Sequence, residues 1–121
     1  MSNVSFYPIN KKENGTVSLL QTETELERLL KESKGIVVLD IYADWCAPCR
    51  FIAPKFADMA KSFTNMVFAK INIDNLGKFA LEYKITALPA FLFFRDGQLI
   101  DKFNGANVTE LTQKLSSYNF L

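Results

Sequence analysis

The sequence predicts an α/β domain of three layers, α/β/α, in which helices cover both sides of a central mixed, mostly five-stranded sheet. Strand-like and helix-like patterns alternate from residue 16 to the end of the chain. The run IVVLDIYA, residues 36–43, is almost wholly apolar and β-branched, which is typical of a strand covered on both faces. Asp96 and Gly97 join two apolar runs as in a tight hairpin, so the early strands should be parallel and the last pair antiparallel.

The length and the start of the chain indicate its organisation. Its 121 residues are enough to bury one core without disulfide staples, so a single domain is expected. We interpret residues 1–15 as a polar lead-in and residues 16–121 as the domain. The lead-in has neither the basic start and apolar stretch of a secretory signal nor the Arg-rich amphipathic character of a transit peptide. This favours a cytoplasmic protein.

Local patterns indicate the first strand and the first helix. The segment TVSLL, from residue 16, has the character of a short strand. Thr22 and Glu25 lie at capping-box spacing, which predicts the start of a helix, and Gly35 predicts its end. The apolar face of this helix should be made of three leucines, Leu26, Leu29 and Leu30.

The middle of the chain predicts a helix, a strand and a second helix after the buried strand. Apolar residues recur every three or four positions from Cys49 to Phe63, which indicates a helix that Pro54 kinks. The segment MVFAKINI predicts the next strand, and NLGKFALEYK predicts a short helix that Gly77 weakens. The two cysteines of WCAPC therefore lie where the buried strand gives way to a helix, at the N-terminus of that helix.

The end of the chain predicts a hairpin and a last helix. The segment AFLFFRDGQLIDKF contains two apolar runs around its Asp-Gly turn, and these should pair as antiparallel strands. Asn107 and Glu110 have capping-box spacing and predict the start of the last helix. Its inward face should contain Val108, Leu111 and Leu115.

Charge and composition exclude several classes of function. Fourteen basic and 13 acidic residues give a net charge of +1, too small a field to gather nucleic acid or anionic lipid. The longest apolar run, ALPAFLFF, is much shorter than the roughly 20 residues that span a bilayer. The chain has no histidine, so it lacks the commonest general base and metal ligand. We expect no nucleic acid, membrane or metal partner.

The cysteine pair predicts redox chemistry. A thiol reacts as its thiolate, and the positive end of a helix lowers the pKa of a cysteine placed there. In a helix that begins at Cys46, this residue should face outward and attack, while Cys49, one turn later, should be held inside and resolve. A structural crosslink is less well supported, because a four-residue ring contributes only about 2 kcal/mol. A zinc or iron-sulfur site would need ligands from a second subunit.

Four landmarks in order resemble the thioredoxin family: VVLDIYADWCAPCRFIAP, KINID, ALPAFLFFRDG and NGAN. The resemblance covers about residues 16–120. It implies a thioredoxin fold and a protein-disulfide reductase that carries electrons without a bound cofactor. Its implied partners are disulfide-bearing proteins and a thioredoxin reductase that restores the dithiol. The chain contains no evident dimerisation feature, so a monomer is expected.

The resemblance also implies roles for residues outside the cysteine motif. Pro89 would be a cis-proline facing the cysteines, and Leu88 would offer backbone hydrogen bonds to an extended substrate; an ordinary trans proline at an edge strand is the alternative. Asp40 would be a buried acid that accepts and returns the proton of Cys49, with Lys70 tuning its charge. The alternatives are a solvent-exposed aspartate at a strand end and an edge lysine with its ammonium in water.

A set of apolar or small residues would form the substrate-binding rim. Its centre would be Trp45, the only Trp of the chain, although core packing is an alternative for this side chain. The sequence departs from the family pattern at Ala47, Tyr42 and Ala90, where Gly, Trp and Thr are usual or common; these changes bear on the reduction potential and on partner choice. The complete predicted rim is Trp45, Ala47, Pro48, Leu88, Pro89, Gly105 and Ala106.

Two other functions remain open at the level of sequence. The first is a thioredoxin-like oxidase or isomerase, but these relatives commonly have His before the second cysteine, where this chain has Pro48. The second is a binding module that uses the same fold without turnover. The rigid, uncharged Ala47-Pro48 pair favours the reductase.

Overall fold

The computed structural model describes residues 15–119 and contains five strands and four α-helices within them. The predicted lead-in lies outside the described residues, apart from Gly15 at its end. A short 3-10 turn, Ile73–Asn75, follows the third strand. The elements are β1 Val17–Leu20, α1 Glu23–Glu32, β2 Ile36–Tyr42, α2 Ala47–Ser62, β3 Val67–Asn72, α3 Lys78–Glu82, β4 Ala90–Arg95, β5 Gln98–Asn104 and α4 Val108–Ser117.

The five strands form one mixed sheet in the order β1-β3-β2-β4-β5. β3 pairs in parallel with β1 and β2, whereas β4 pairs antiparallel with β2 and β5. The predicted mixed sheet, with parallel crossovers early and an antiparallel edge late, is confirmed. Asp96 and Gly97 both have positive φ, +51° and +85°, as the tight hairpin between β4 and β5 requires.

β2 lies at the centre of the sheet and separates two apolar clusters. Because side chains alternate along a strand, Val37 and Leu39 pack with α1 and α3 on one face. Ile36 and Val38 pack with α2 and α4 on the other face, which completes the three layers. The same alternation places Asp40 on the face that α2 covers.

The ends of α1 follow the predicted signals with small differences. The Thr22 hydroxyl accepts a hydrogen bond from the Glu25 N–H at 3.0 Å, as expected for an N-cap. The Glu25 carboxylate accepts from the Gln21 N–H at 2.6 Å, one residue earlier than in a capping box. The helix ends at Glu32, and Gly35, with φ +81°, instead forms the turn into β2.

Gly77 was expected to weaken the third helix from within, and this expectation was wrong. The helix begins after Gly77, which is its N-cap residue and has no side chain to bond to the first turn. Only five residues remain helical, Lys78–Glu82. The glycine therefore sets where the helix starts, and the free N–H groups of its first turn are left for a side chain from elsewhere in the fold.

Asp101 on β5 links the last helix to the sheet through hydrogen bonds. Its carboxylate accepts hydrogen bonds from Lys114 Nζ at 2.8 Å and from Tyr118 Oη at 2.7 Å. Burial by itself raises the pKa of Asp101, but these two bonds and one from the Lys102 N–H outweigh burial, so its pKa is lowered. The carboxylate therefore stabilises the fold above the pKa of an unfolded Asp, and this contribution is lost in acid.

The variant Tyr118→Phe is expected to lower the free energy of unfolding at neutral pH by about 1 kcal/mol, because it removes one hydrogen bond to the carboxylate. The ring keeps its contact with Phe93, whose centroid is 5.4 Å away, so little packing is lost. Denaturant unfolding checks the change. An unchanged midpoint would show that the hydroxyl contributes nothing to the attachment of α4.

Candidate functional site

The cysteine pair lies where β2 gives way to α2. Cys46 is the N-cap residue of α2, and Cys49 lies in its first turn. The two residues form a disulfide, with their Cα atoms 5.3 Å apart. The backbone N–H of Cys49 also donates to Cys46 Sγ at 3.2 Å. In the reduced protein this amide and the positive end of α2 would stabilise a negative charge on that sulfur.

The exposure of the two cysteines differs from what the sequence suggested. We expected Cys46 to face outward, but in the disulfide Cys46 and Cys49 are only 5% and 4% exposed. Both pack against Ala43 and the half-buried Leu88. They nevertheless face different spaces, because Cys46 borders a surface groove and Cys49 borders an inner cavity. The two sulfurs are thus distinguished by their surroundings and not by their exposure.

The groove beside Cys46 has a volume of about 550 Å³ and brings together several residues of the predicted rim. Trp45 is 73% exposed at its edge, so the indole does not belong to the core. Ala47 and Pro48 lie on the same side, at the exposed start of α2. Leu88, from the loop after α3, also borders the groove, and its peptide bond to Pro89 is cis.

Gly105 and Ala106 take different places relative to this groove. The Gly105 N–H donates to the Pro89 carbonyl at 2.9 Å, which brings the turn after β5 beside the cis-proline. Gly105 has φ +101°, a conformation that favours glycine. Ala106 packs against the core cluster under α2 and α4. Neither residue borders the groove cavity itself.

Four further residues line the groove and were not singled out in the sequence: Ile73, Ile85, Thr86 and Ala87. Ile73 directly follows β3, whose carboxyl end lies at the same edge of the sheet as that of β2. Residues 85–87 directly precede Leu88 and carry the chain from α3 to the cis-proline. The position of residues 85–87 directly before Leu88 and Pro89 was the sequence signal that could have identified them as groove residues.

Asp40 is buried beneath the cysteines, as the resemblance implied. The residue is 2% exposed, and its Oδ1 makes no hydrogen bond to any described residue. Burial raises its pKa from the ordinary 3.8 to about 7, while the positive charge of Lys70 opposes the shift. The alternative of a solvent-exposed aspartate is therefore wrong, and this carboxyl can exchange a proton near neutral pH.

A cavity of about 160 Å³ connects Asp40 with Cys49. Lys70 is the register partner of Asp40 on the neighbouring strand, and its Nζ lies 5.6 Å from the ring centroid of Tyr42. Tyr42 and Lys70 both border the cavity, as do the charged residues Asp44 and Arg50 on its outer side. The space is large enough for water, which could link the carboxyl and the sulfur.

Residues 15–119 contain neither a metal-binding cluster nor a membrane-spanning helix. No group of three or more potential ligands among His, Cys, Asp and Glu lies close enough together to hold a metal ion within that range. None of the helices in the described part of the chain has both the length and the apolar character needed to cross a bilayer.

Comparisons with protein families, with individual proteins and with solved structures all match this chain to thioredoxins. The family model for thioredoxin matches residues 17–117. Thioredoxin H5 of Arabidopsis thaliana is 46% identical over 102 residues, which are 84% of this chain and 86% of that protein. The X-ray structure of Fasciola hepatica thioredoxin has a TM-score of 0.79 at 41% identity and covers 84% of this chain and 99% of its own. A Plasmodium falciparum thioredoxin structure has a TM-score of 0.80 at 30% identity, with coverages of 84% and 99%.

Proposed function

The chain belongs to the thioredoxin family and is a thiol-disulfide oxidoreductase that reduces protein disulfides, and from this premise we propose which side chain carries out each step of the reaction. Cys46 is the attacking cysteine and Cys49 the resolving one. The observation that carries this assignment is the hydrogen bond from the Cys49 N–H to Cys46 Sγ at 3.2 Å. A sulfur that accepts a backbone N–H at the positive end of a helix is the one stabilised as a thiolate.

The reaction proceeds by two exchanges. The Cys46 thiolate attacks one sulfur of the substrate disulfide, forms a mixed disulfide and releases the other substrate sulfur as a thiolate. Cys49 then loses its proton, attacks Cys46 Sγ and releases the second substrate sulfur. The protein ends with the Cys46–Cys49 disulfide, and the substrate has gained two electrons; both of its sulfurs leave as thiolates and take up protons from the solvent. A thioredoxin reductase then restores the dithiol.

Asp40 receives the proton of Cys49 in this scheme. Both residues border the same cavity, and the unpartnered Oδ1 can accept a hydrogen bond from water there. A carboxyl with a pKa of about 7 holds and gives up a proton with similar ease at neutral pH. Lys70, whose charge opposes the effect of burial on Asp40, keeps this pKa from rising further.

Substrate binding takes place in the groove beside Cys46. Trp45, Ala47 and Pro48 offer an exposed surface with little charge, and Leu88 also borders the groove. An extended substrate segment fits this arrangement through backbone hydrogen bonds at Leu88, beside the cis-proline Pro89, which suits proteins of varied sequence. Gly105 and Ala106 complete the rim of the proposed site beyond the cis-proline.

The setting of this activity is also part of the proposal. Several relatives that resemble the chain are H-type thioredoxins, such as thioredoxin H1 of Arabidopsis thaliana at 44% identity. We assign the chain to the cytoplasm, where it would act as a monomeric electron carrier between a thioredoxin reductase and disulfide-bearing proteins.

The reduction potential tests the assignment as a reductant. We expect a value close to about −270 mV, which is typical of thioredoxin, because the uncharged Ala47-Pro48 pair gives the thiolate no added stabilisation. The measurement is equilibration of the Cys46–Cys49 pair with glutathione or dithiothreitol buffers, together with insulin reduction by a dithiol donor. A potential near about −180 or −120 mV would instead indicate an isomerase or an oxidase.

A further inference from the structure

The short helix α3 carries one wall of the substrate groove. It has only five residues, Lys78–Glu82, and the chain that follows it, residues 85–88, borders the groove up to the cis peptide at Pro89. A helix of this length is not stable by itself, because its terminal N–H and C=O groups outnumber its internal hydrogen bonds. Whatever fixes the ends of α3 therefore also fixes this wall.

A carboxylate from another helix caps the N-terminus of α3. Glu23, the first residue of α1, accepts hydrogen bonds from the N–H groups of Gly77 and Phe79, the second at 3.0 Å. Its negative charge lies at the positive end of α3, which adds a favourable electrostatic term. Since Gly77 has no side chain, Glu23 supplies the cap that the local sequence lacks.

An ammonium group from the sheet holds the C-terminus of α3. Lys102 lies on β5, and its Nζ donates to the carbonyl oxygens of Tyr83 and Lys84, both at 3.0 Å. Lys84 has φ +56°, and the Ile85 N–H donates to the Ala80 carbonyl at 3.0 Å, so the chain turns out of the helix here. The two carbonyls that Lys102 binds belong to the residues directly before Ile85, the first residue of the groove wall.

We propose that Glu23 and Lys102 are positioning residues for substrate binding. Together they clamp both ends of α3. The clamp holds residues 85–88 at the distance from Trp45 that an extended protein segment requires. Apolar packing also holds α3, since Phe79 is buried and stacks on Tyr83 with centroids 5.3 Å apart. That packing has little directional preference, whereas hydrogen bonds to both ends fix the helix along and around its axis.

The clamp should affect recognition and leave the sulfur chemistry unchanged. Among the described residues, neither Glu23 nor Lys102 forms a hydrogen bond with β2, which carries Asp40, with α2, which carries Cys49, or with the N-cap residue Cys46. The cysteines do pack against Leu88, but the chain next to Leu88 is also held by the Gly105 N–H bond to the Pro89 carbonyl, which the clamp variants leave in place. A small aromatic disulfide reaches Cys46 without filling the groove, whereas a protein segment needs its wall. This inference rests on the proposed function, because it supposes that protein substrates lie in the groove beside Cys46.

The test compares two disulfides in single-turnover reactions of the pre-reduced protein. Lys102→Met and Glu23→Ala are expected to raise the half-saturating concentration of insulin about five- to tenfold, with the maximal rate within about twofold of wild type. The rate with a small aromatic disulfide and the reduction potential should stay unchanged. Lys102→Arg, which keeps the donors and the charge, should restore insulin binding.

Two further variants make the result specific. Lys78→Met removes the exposed ion pair of α3 with Glu27, at 3.8 Å, without releasing an end of the helix, and it should behave as wild type. Glu23→Gln keeps an oxygen acceptor and should give a smaller rise than Glu23→Ala; it replaces that variant if thermal unfolding shows Glu23→Ala to be unfolded.

Equal half-saturating concentrations for wild type, Lys102→Met and the Glu23 variant would overturn the proposal. Equal losses with insulin and the small disulfide would also overturn it, because they would mean a general loss of active protein. A wild type that reduced neither disulfide would contradict the proposed function instead, so the two failures are distinguishable.

Discussion

Replacing Cys46 with serine is expected to abolish protein-disulfide reduction, with a loss of at least about a thousandfold, because a hydroxyl at this position is not ionised near neutral pH and cannot open a disulfide. Replacing Cys49 with serine should have a different result. The first exchange still takes place, but no thiol is left to attack Cys46 Sγ, so the mixed disulfide accumulates.

The measurement is incubation of each variant with insulin or a cell extract, followed by mass spectrometry of the covalent adducts. Cys49→Ser should carry one substrate chain through Cys46, and a reducing agent should release it. Cys46→Ser is the matched control and should carry none. Equal activity in the two variants, or adducts on Cys49 alone, would reverse the roles proposed for the pair.

Replacing Asp40 with asparagine is expected to stabilise the folded protein at pH 8 by an amount on the order of 4 kcal/mol. Burial raises the pKa of this carboxyl from 3.8 to about 7, with Lys70 opposing the shift. Because the folded pKa lies above the unfolded one, the carboxyl is least costly to stability below about pH 4. Stability is then lost as the pH rises to about 7 and beyond.

The measurement is denaturant unfolding of the oxidised protein at a series of pH values from about 5 to about 9. The thiols cannot titrate in this form. Asp101, whose pKa is lowered, loses its contribution to the stability of the fold only in acid. Wild type should lose stability over this range and Asp40→Asn should lose much less. Asp58→Asn, at an exposed position on α2, should keep the dependence of wild type.

The same substitution should slow the second exchange. Without the Asp40 carboxyl, Cys49 loses the buried proton acceptor of its cavity and keeps only Asp44 on the outer side, so the mixed disulfide with Cys46 should last longer at pH 7. A protein that gains stability while it loses speed would show that the buried acid is kept for its chemistry. A variant with neither change would show that Asp40 is ionised at little cost and takes no part in the reaction.

Much of this fold could be predicted because the local signals and the tertiary structure agree. The apolar run of β2, the Asp96-Gly97 turn and the caps at Thr22 and Asn107 all depend on residues near one another in sequence. The position of Cys46 at a helix N-terminus follows from the same local logic. The family resemblance supplied the cis state of the Leu88–Pro89 bond, which residue patterns alone could not decide.

The features that were missed depend on long-range contacts. The caps that Glu23 and Lys102 give to α3 join residues 54 and 19 positions apart, and neither side chain lies in a recognisable capping motif. Gly77 was misjudged for the same reason, since its effect on the helix depends on Glu23. The burial of Cys46 depends on packing against Ala43 and Leu88, which the sequence does not show.

The ionisation of Cys46 in the reduced protein decides whether the start of α2 activates this sulfur. Thiolate absorbance in the far ultraviolet, recorded against pH for wild type and for Cys46→Ser, isolates the titration of this one group. We expect the pKa of Cys46 to lie well below the roughly 8.5 of an unperturbed thiol. A pKa at or above that value would contradict the assignment of Cys46 as the activated nucleophile.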